Sequence, residues 1–515
     1  MNRTADAAER IVVLGFGPVA ARFVDDLLPH LAGGALELTV IGGEVRPAYN
    51  RVLVADVATC RIDASSLSLA DPLELAAAGV DLRLATTAVR VDRARRHVML
   101  SDGSEVGYDR LVFATGARPT IPVLRGLDFS PLAEPALPGG VMALRDLDDA
   151  ARLARVVRTG GTVVILGGGI LGVEAALAIR DAGAVATLVH HGPVPLARAL
   201  DHDGGSTLAA ALVEAGVRVV PDVRAVGVHV VEGTFGGLEL EDGTVCPGDA
   251  LVVSTGVRPR ADLADGCGLV ADGGIRVDER LCADTEDRVF AIGDCAAVQG
   301  RPPSGLIGPG WTQASWLAGY LVRHPVPPDA PSSSAPVDPG PHARPGTPES
   351  APVEAEAVIM LKARGVDLAA AGTVSAGPWD PGPHLVSVWA DPGHGRYCKL
   401  VTDEGVLTGF VSVGMPRTAA ELVLLYERGD ELPADRSSLF RLDDAALPPS
   451  APSPAASDVL CRCSGATYGD VQRACANGCS SVDDVGSACR AGTGCGGCRT
   501  VIERMLTHAG EAAPT

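Results

Sequence analysis

Aromatic residues are scarce in this sequence, at 3% of 515 residues. So few rings leave no stacking surface for bases, and the Ala, Val, Leu and Gly that dominate instead suit helices packed closely on parallel strands. Positive charge is short as well: 43 Lys plus Arg stand against 63 Asp plus Glu, a net charge of -20. That surface repels phosphate backbones and anionic lipid headgroups, so neither nucleic acid nor membrane is an expected partner. A membrane-spanning run of about 20 apolar residues is missing too. The nearest approach, residues 163–179, is broken by four glycines and Glu174. Residues 1–10 are polar and lead straight into the apolar residues 11–14, which leaves no room for a secretory leader. A cytoplasmic protein is expected.

At this length the chain outgrows one core, because single cores stop growing near about 250 to 300 residues. Proline marks the divisions: residues 325–352 hold ten prolines in 28 positions, and residues 448–457 hold four in ten. Such segments stay extended and separate packed units. The expected organisation is a body of residues 1–324, a linker of 325–352, a small α/β module of 353–445, a second linker of 446–457 and a tail of 458–510. In the module, residues 357–361, 384–389 and 406–413 read as strands and 417–428 as an amphipathic helix. No chemistry is evident there, and packing or dimerisation is its expected job. Cys398 reads as a small buried hydrophobe.

The body repeats itself. Ile11-Val12-Val13-Leu14 runs into Gly15, Gly17 and Ala20, and Val163-Val164-Ile165-Leu166 runs into Gly167, Gly169 and Gly172. Each copy later closes an apolar strand with Thr-Gly-x-Arg-Pro, at Thr115-Gly116 and again at Thr255-Gly256. A glycine loop between a buried strand and a helix lets backbone approach a pyrophosphate, whose charge then sits at the positive helix end. One such loop is also a plain strand-to-helix turn; two in a repeated frame point to two nucleotides. The first unit is assigned to residues 1–135 and 261–324, the second to 136–260. Glu44 ends the second strand of the first unit, where an acid binds a ribose hydroxyl. The matching strand of the second unit ends in His190 and His191, neither the acid expected for NAD nor the arginine expected for NADP, so the coenzyme stays open.

The order of these motifs resembles the two-dinucleotide-binding flavoproteins that act as pyridine-nucleotide-dependent reductases. Arg46-Pro47-Ala48-Tyr49-Asn50-Arg51 is similar to the family stretch that runs alongside FAD, and Ala291-Ile292-Gly293-Asp294 to the motif whose aspartate meets the ribityl chain. The resemblance implies FAD on Gly15, Gly17, Ala20, Glu44, Arg51, Thr115, Gly116 and Asp294. It implies NADH or NADPH on Gly167, Gly169, Gly172 and Gly256, with Glu174 near the nicotinamide. The family's disulfide reductases carry a cysteine pair early in the first unit. Here residues 11–59 hold no cysteine and Cys60 has no near partner, so electrons need another exit.

The tail supplies one. Seven of the thirteen cysteines fall within residues 461–498, which points to metal in place of disulfides. Cys461-x-Cys463 and Cys495-x-x-Cys498 form either a zinc or an iron-sulfur site. The neighbouring glycines favour the cluster, because backbone N–H groups without a Cβ approach negatively charged sulfides closely. The tail is similar to bacterioferritin-associated-ferredoxin-like modules, which implies one 2Fe-2S cluster on those four cysteines. Cys475, Cys479 and Cys489 are read as packing residues.

The expected fold is α/β: two Rossmann-like dinucleotide-binding domains, a small α/β domain and a small helical cluster domain. As a whole the chain resembles the N-terminal half of NAD(P)H nitrite reductase large subunits and the electron-transfer subunits of assimilatory nitrate reductases. That implies an oxidoreductase feeding a molybdenum nitrate reductase or a sirohaem nitrite reductase partner. The stop at Thr515, just after the cluster, favours the electron-transfer subunit. The alternatives are a ferredoxin- or rubredoxin-type reductase and a non-enzymatic redox or iron sensor. A homodimer is compatible with all of them.

Overall fold

The computed structural model describes residues 8–127, 137–326, 350–352, 358–361, 365–443 and 454–511. Most of the linker at 325–352 and much of the one at 446–457 lie outside them, as does residue 357 of the first strand expected in the module.

Two five-stranded parallel sheets organise the body, each built around a glycine-loop strand. In the first, Glu9–Leu14 lies between Leu36–Ile41 and Arg110–Phe113, with Val80–Arg83 and Val289–Ala291 at the edges. In the second, Thr162–Leu166 lies between Val185–Val189 and Ala250–Val253, with Arg218–Val220 and Val141–Met142 outermost. The central strands read as continuous apolar runs because both faces are covered: residues 163–165 and 111–113 are fully buried. Helix Pro18–Leu31 follows the first central strand and Ile170–Asp181 the second. In both sheets the chain reverses direction of progress beside the central strand, which is where open α/β sheets bind ligands, at the carboxyl ends of the strands.

The two Thr-Gly-x-Arg-Pro segments meet each other. Ala117–Pro119 and Val257–Pro259 pair antiparallel, Arg118 opposite Arg258, so the paired segments tie the two units together where the chain crosses between them.

The middle module is an antiparallel sheet in the order Ile359–Met360, Leu368–Gly372, Val406–Val413, Arg396–Asp403, Leu385–Asp391, backed by helix Pro416–Arg428. Strands Leu368–Gly372 and Arg396–Asp403 were not foreseen. The module packs on the second unit. Asp201 caps helix His202–Glu214 through the Gly204 amide, and its other oxygen takes Lys399 Nζ at 2.9 Å and Tyr397 OH at 2.5 Å. Cys398 is fully buried in the module's own core, as expected.

The tail holds three helices, Tyr468–Ala476, Val482–Cys489 and Arg499–Glu511, around a small core with Val471, Val485 and Ile502. Thr467-Asp470 and Ser481-Asp484 close capping boxes on the first two, which gives short helices defined starts. No described helix is long and apolar enough to cross a membrane.

Candidate functional site

The first glycine loop is shaped by contact with its neighbour strand. Gly15 has φ +103°, and a methyl there would lie 2.3 Å from the Ala114 carbonyl oxygen, so only glycine fits where the loop leaves the sheet. Gly17 begins helix Pro18–Leu31 with no side chain over the helix end, and buried Ala20 lies in its first turn. A methyl on Gly17 would approach Arg51 Nε at 4.0 Å, which places Arg51 at the loop's mouth. Arg51 is ion-paired with Glu44, and Tyr49 OH donates to the same carboxylate at 3.0 Å. Gly15, Gly17, Glu44 and Arg51 therefore surround one space. Thr115 donates from Oγ1 to the Arg260 carbonyl at 2.6 Å, and the Arg260 amide donates to Gly116. Asp294 follows strand Val289–Ala291 and meets Arg145 at 3.3 Å. Burial pulls the Arg145 guanidinium below its ordinary range while Asp294 opposes that pull. Arg145 was not foreseen; it lies in another unit, and no spacing in the sequence relates it to Asp294.

The second loop repeats the construction. Gly167 has φ +124° and presses on the Ser254 carbonyl, where a methyl would lie 2.1 Å away. Gly172 presses on Gly167, a methyl there meeting its carbonyl at 2.0 Å, so this glycine packs helix Ile170–Asp181 onto the loop. Gly169 is different: a methyl there meets no protein atom within 4 Å, and neither does one on Gly256. Both face open space. Glu174 is half-buried on the same helix. His190 is almost completely buried, and burial pulls its pKa down, so the ring is neutral and offers no charge to a ribose hydroxyl or phosphate.

The four tail cysteines come together as two facing thiol pairs, Cys461 with Cys498 and Cys463 with Cys495. The Cys498 thiol hydrogen bond brings Cys461 down to about 5, against the effect of burial. Cys498 rises correspondingly through Cys461, and in the other pair Cys463 rises through Cys495. Among the described residues no three His, Cys, Asp or Glu side chains gather as a single-ion site. Four soft donors in two pairs fit a 2Fe-2S cluster, whose irons take four thiolates in all. The loop leaves no room for a side chain at Gly494, where a methyl would stand 2.6 Å from Cys463 Cβ. Cys475, Cys479 and Cys489 pack partly buried against the tail's core, and none of the thirteen cysteines forms a disulfide.

The sequence hangs the tail on a tether, but the structure seats it on the body. Buried Asn50 donates from Nδ2 to the Thr493 carbonyl at 2.6 Å and to the Gly494 carbonyl, while its Oδ1 accepts the Val52 amide. Arg490 reaches Asp26 at 3.2 Å and Asp25 at 3.6 Å. The cysteine loop thus lies beside the first nucleotide loop.

Residues 9–314 match the pyridine nucleotide-disulphide oxidoreductase family, and residues 459–508 match the BFD-like 2Fe-2S binding domain. Over 513 residues the chain is 29% identical to the nitrite reductase (NADH) large subunit of Escherichia coli (strain K12), covering 96% of this chain and 55% of that protein. It is 24% identical over 503 residues to the assimilatory nitrate reductase electron transfer subunit of Bacillus subtilis (strain 168), covering 97% of this chain and 60% of that one. The chain therefore spans little more than half the length of these relatives. The covalent putidaredoxin reductase-putidaredoxin complex contains a chain of the same fold, with TM-score 0.67 and 21% identity, covering 85% of this chain and 98% of that chain.

Proposed function

This chain belongs to the pyridine nucleotide-disulphide oxidoreductase family, and from that membership and its BFD-like tail we propose that it passes electrons from NAD(P)H to a separate protein acceptor. Bound FAD supplies the conversion from a two-electron donor to one-electron steps, and a 2Fe-2S cluster carries those steps onward. Gly15, Gly17 and Ala20 admit the FAD pyrophosphate, Glu44 and Arg51 flank its adenosine side, Thr115 and Gly116 line the crossing, and Asp294 accepts from the ribityl chain. Gly169 and Gly256 leave open space for the coenzyme, Gly167 and Gly172 let the loop pack tightly enough to form that space, and Glu174 positions the nicotinamide. Cys461, Cys463, Cys495 and Cys498 hold the cluster.

The observation that carries this reading is the seat of the cysteine loop against the segment bearing Asn50 and Arg51, in a body with no disulfide among its cysteines. An electron leaving the first unit has the tail as its neighbour. The acceptor is the catalytic part of an assimilatory nitrate or nitrite reductase, a reading supported by what the two relatives are named for.

Purified protein should hold one FAD and two irons per chain and oxidise NADH or NADPH steadily with ferricyanide. Zinc in place of iron would remove the cluster from the scheme. Tight nucleotide binding without turnover would instead favour a sensor.

A further inference from the structure

We propose that the tail transfers electrons in its docked position, with Arg490 and Asp26 as positioning residues and the Trp311 indole bridging the first nucleotide loop and the cysteine loop. This rests on the electron route proposed above.

The first turns of helix Ile307–Arg323 lie between the two loops, and both of their sides are pared to glycine. Gly308 faces Cys463, with 3.9 Å from a methyl built there to Cys463 Cα. Gly310 faces the Gly293-Asp294 turn, with 3.5 Å to Gly293 Cα. Between them Trp311, 5% exposed, donates from Nε1 to the Pro18 carbonyl at 3.0 Å. Its ring edge would lie 3.3 Å from a methyl on Gly494. One side chain is thus bonded beside the first loop and lies where a side chain on Gly494 of the cysteine loop would meet it.

Polar contacts fix the tail on two sides. Arg490 enters an arrangement already organised on the body: Asp26 is held by Arg22 at 3.0 Å and by the Ser315 hydroxyl at 2.6 Å before it meets Arg490. From the middle module, Glu427 pairs with Arg462 at 3.4 Å and Arg428 reaches Asp458 at 4.0 Å. Body and module together hold the tail, which gives the module a task beyond packing on the second unit. With the loops fixed this way, transfer needs no domain swing. The hydride of NAD(P)H, two electrons and one proton, would be taken up by FAD held in the first unit; with a cluster held by Cys461, Cys463, Cys495 and Cys498 the two electrons would leave singly past Trp311 to the acceptor, and the one proton would leave to water.

Arg490 occupies a left-handed backbone position, φ +61°, which Asp adopts more readily than most residues, so Arg490→Asp reverses the charge without straining the chain. In full-length protein carrying both cofactors, this variant should show flavin reduction by NAD(P)H at the wild-type rate. Cluster reduction, followed by its EPR signal after rapid freezing, should slow at least tenfold. Amides of residues 307–314 and 493–498 should exchange hydrogen at least tenfold faster. Adding Asp25→Arg restores a cross-interface pair and should recover both. Wild-type protein in 1 M salt should behave as the single variant does, in the same direction, because screening weakens partly exposed pairs. Wild-type cluster reduction should be independent of protein concentration. Unchanged cluster reduction in Arg490→Asp, unchanged exchange, or a wild-type rate that rises with protein concentration would each overturn the docked mechanism while leaving the proposed function intact. Failure of NAD(P)H to reduce the wild-type flavin would instead overturn the function itself.

Discussion

Arg110 is completely enclosed, yet three acceptors reach it: Glu9 at 3.0 Å, Asp287 at 3.4 Å and the His324 carbonyl at 2.5 Å. Burial raises the Glu9 carboxyl, and Arg110 opposes the rise. Removing the cation leaves an acid stranded in the core, so Arg110→Met should cost about 3 to 5 kcal/mol of stability. Adding Glu9→Leu should return much of that loss, and urea titration of the two variants compares them. Asp25, at the tail interface, shows the same balance. Burial pushes its carboxyl up to about 6, with Arg490 and Arg22 pulling down and Asp26 pushing up. Because the folded pKa lies above the ordinary 3.8, ionisation of Asp25 opposes folding above pH 6. That penalty shrinks as pH falls from about 6 to 4 and is gone below. Asp25→Asn should therefore raise the apparent melting temperature by about 2 °C at pH 8 and by little at pH 4. The group is partly exposed, and solvent screening keeps the effect small.

The two glycine loops share a pattern, but their glycines answer to different demands. Gly172 is crowded by Gly167 at 2.0 Å, whereas Gly169 faces no protein atom. Gly172→Ala should therefore lower the melting temperature of the second unit by several degrees, because the helix must shift off its loop. Gly169→Val should leave melting and FAD content unchanged while abolishing NAD(P)H oxidation, because its side chain fills only the space reserved for coenzyme. Calorimetry beside a ferricyanide assay separates the two. Loss of FAD from Gly169→Val would show that the second unit supports the first in a way these contacts do not express.

For the molecule as a whole, the proposed electron route has the body as its entrance and the tail as its exit. A chain lacking residues 448–515 should still reduce ferricyanide with NAD(P)H but fail to support nitrate reduction with a cognate molybdenum subunit. If the truncated chain drives the partner as well as the full one, the tail is structural only. The same deletion uncovers Asn50, Leu53 and Trp311, which now lie against the tail. Truncated protein should therefore aggregate more readily, which light scattering at increasing concentration reads directly.

Residues 11–17 and 163–172 announce strand, loop and helix because every requirement there is local: apolar residues for a strand buried on both faces, and glycine where the chain presses on its neighbour. Each tail cysteine pair was legible for the same reason, since close spacing keeps its two thiols together, while the fold of the tail brings Cys461 to Cys498 and Cys463 to Cys495. Strand Leu368–Gly372, three alanines in a row, shows neither alternation nor β-branching, and Arg396–Asp403 hides behind Lys399, buried where Asp201 from another unit and the Val374 carbonyl meet its ammonium. The sequence by itself determined the two nucleotide folds and the two cysteine pairs of the tail. Only the tertiary structure decided that Arg145 meets Asp294 across 149 residues and that Asn50 grips Thr493 across 443. Such meetings arise from the complementarity of folded surfaces, a property no stretch of neighbouring residues carries.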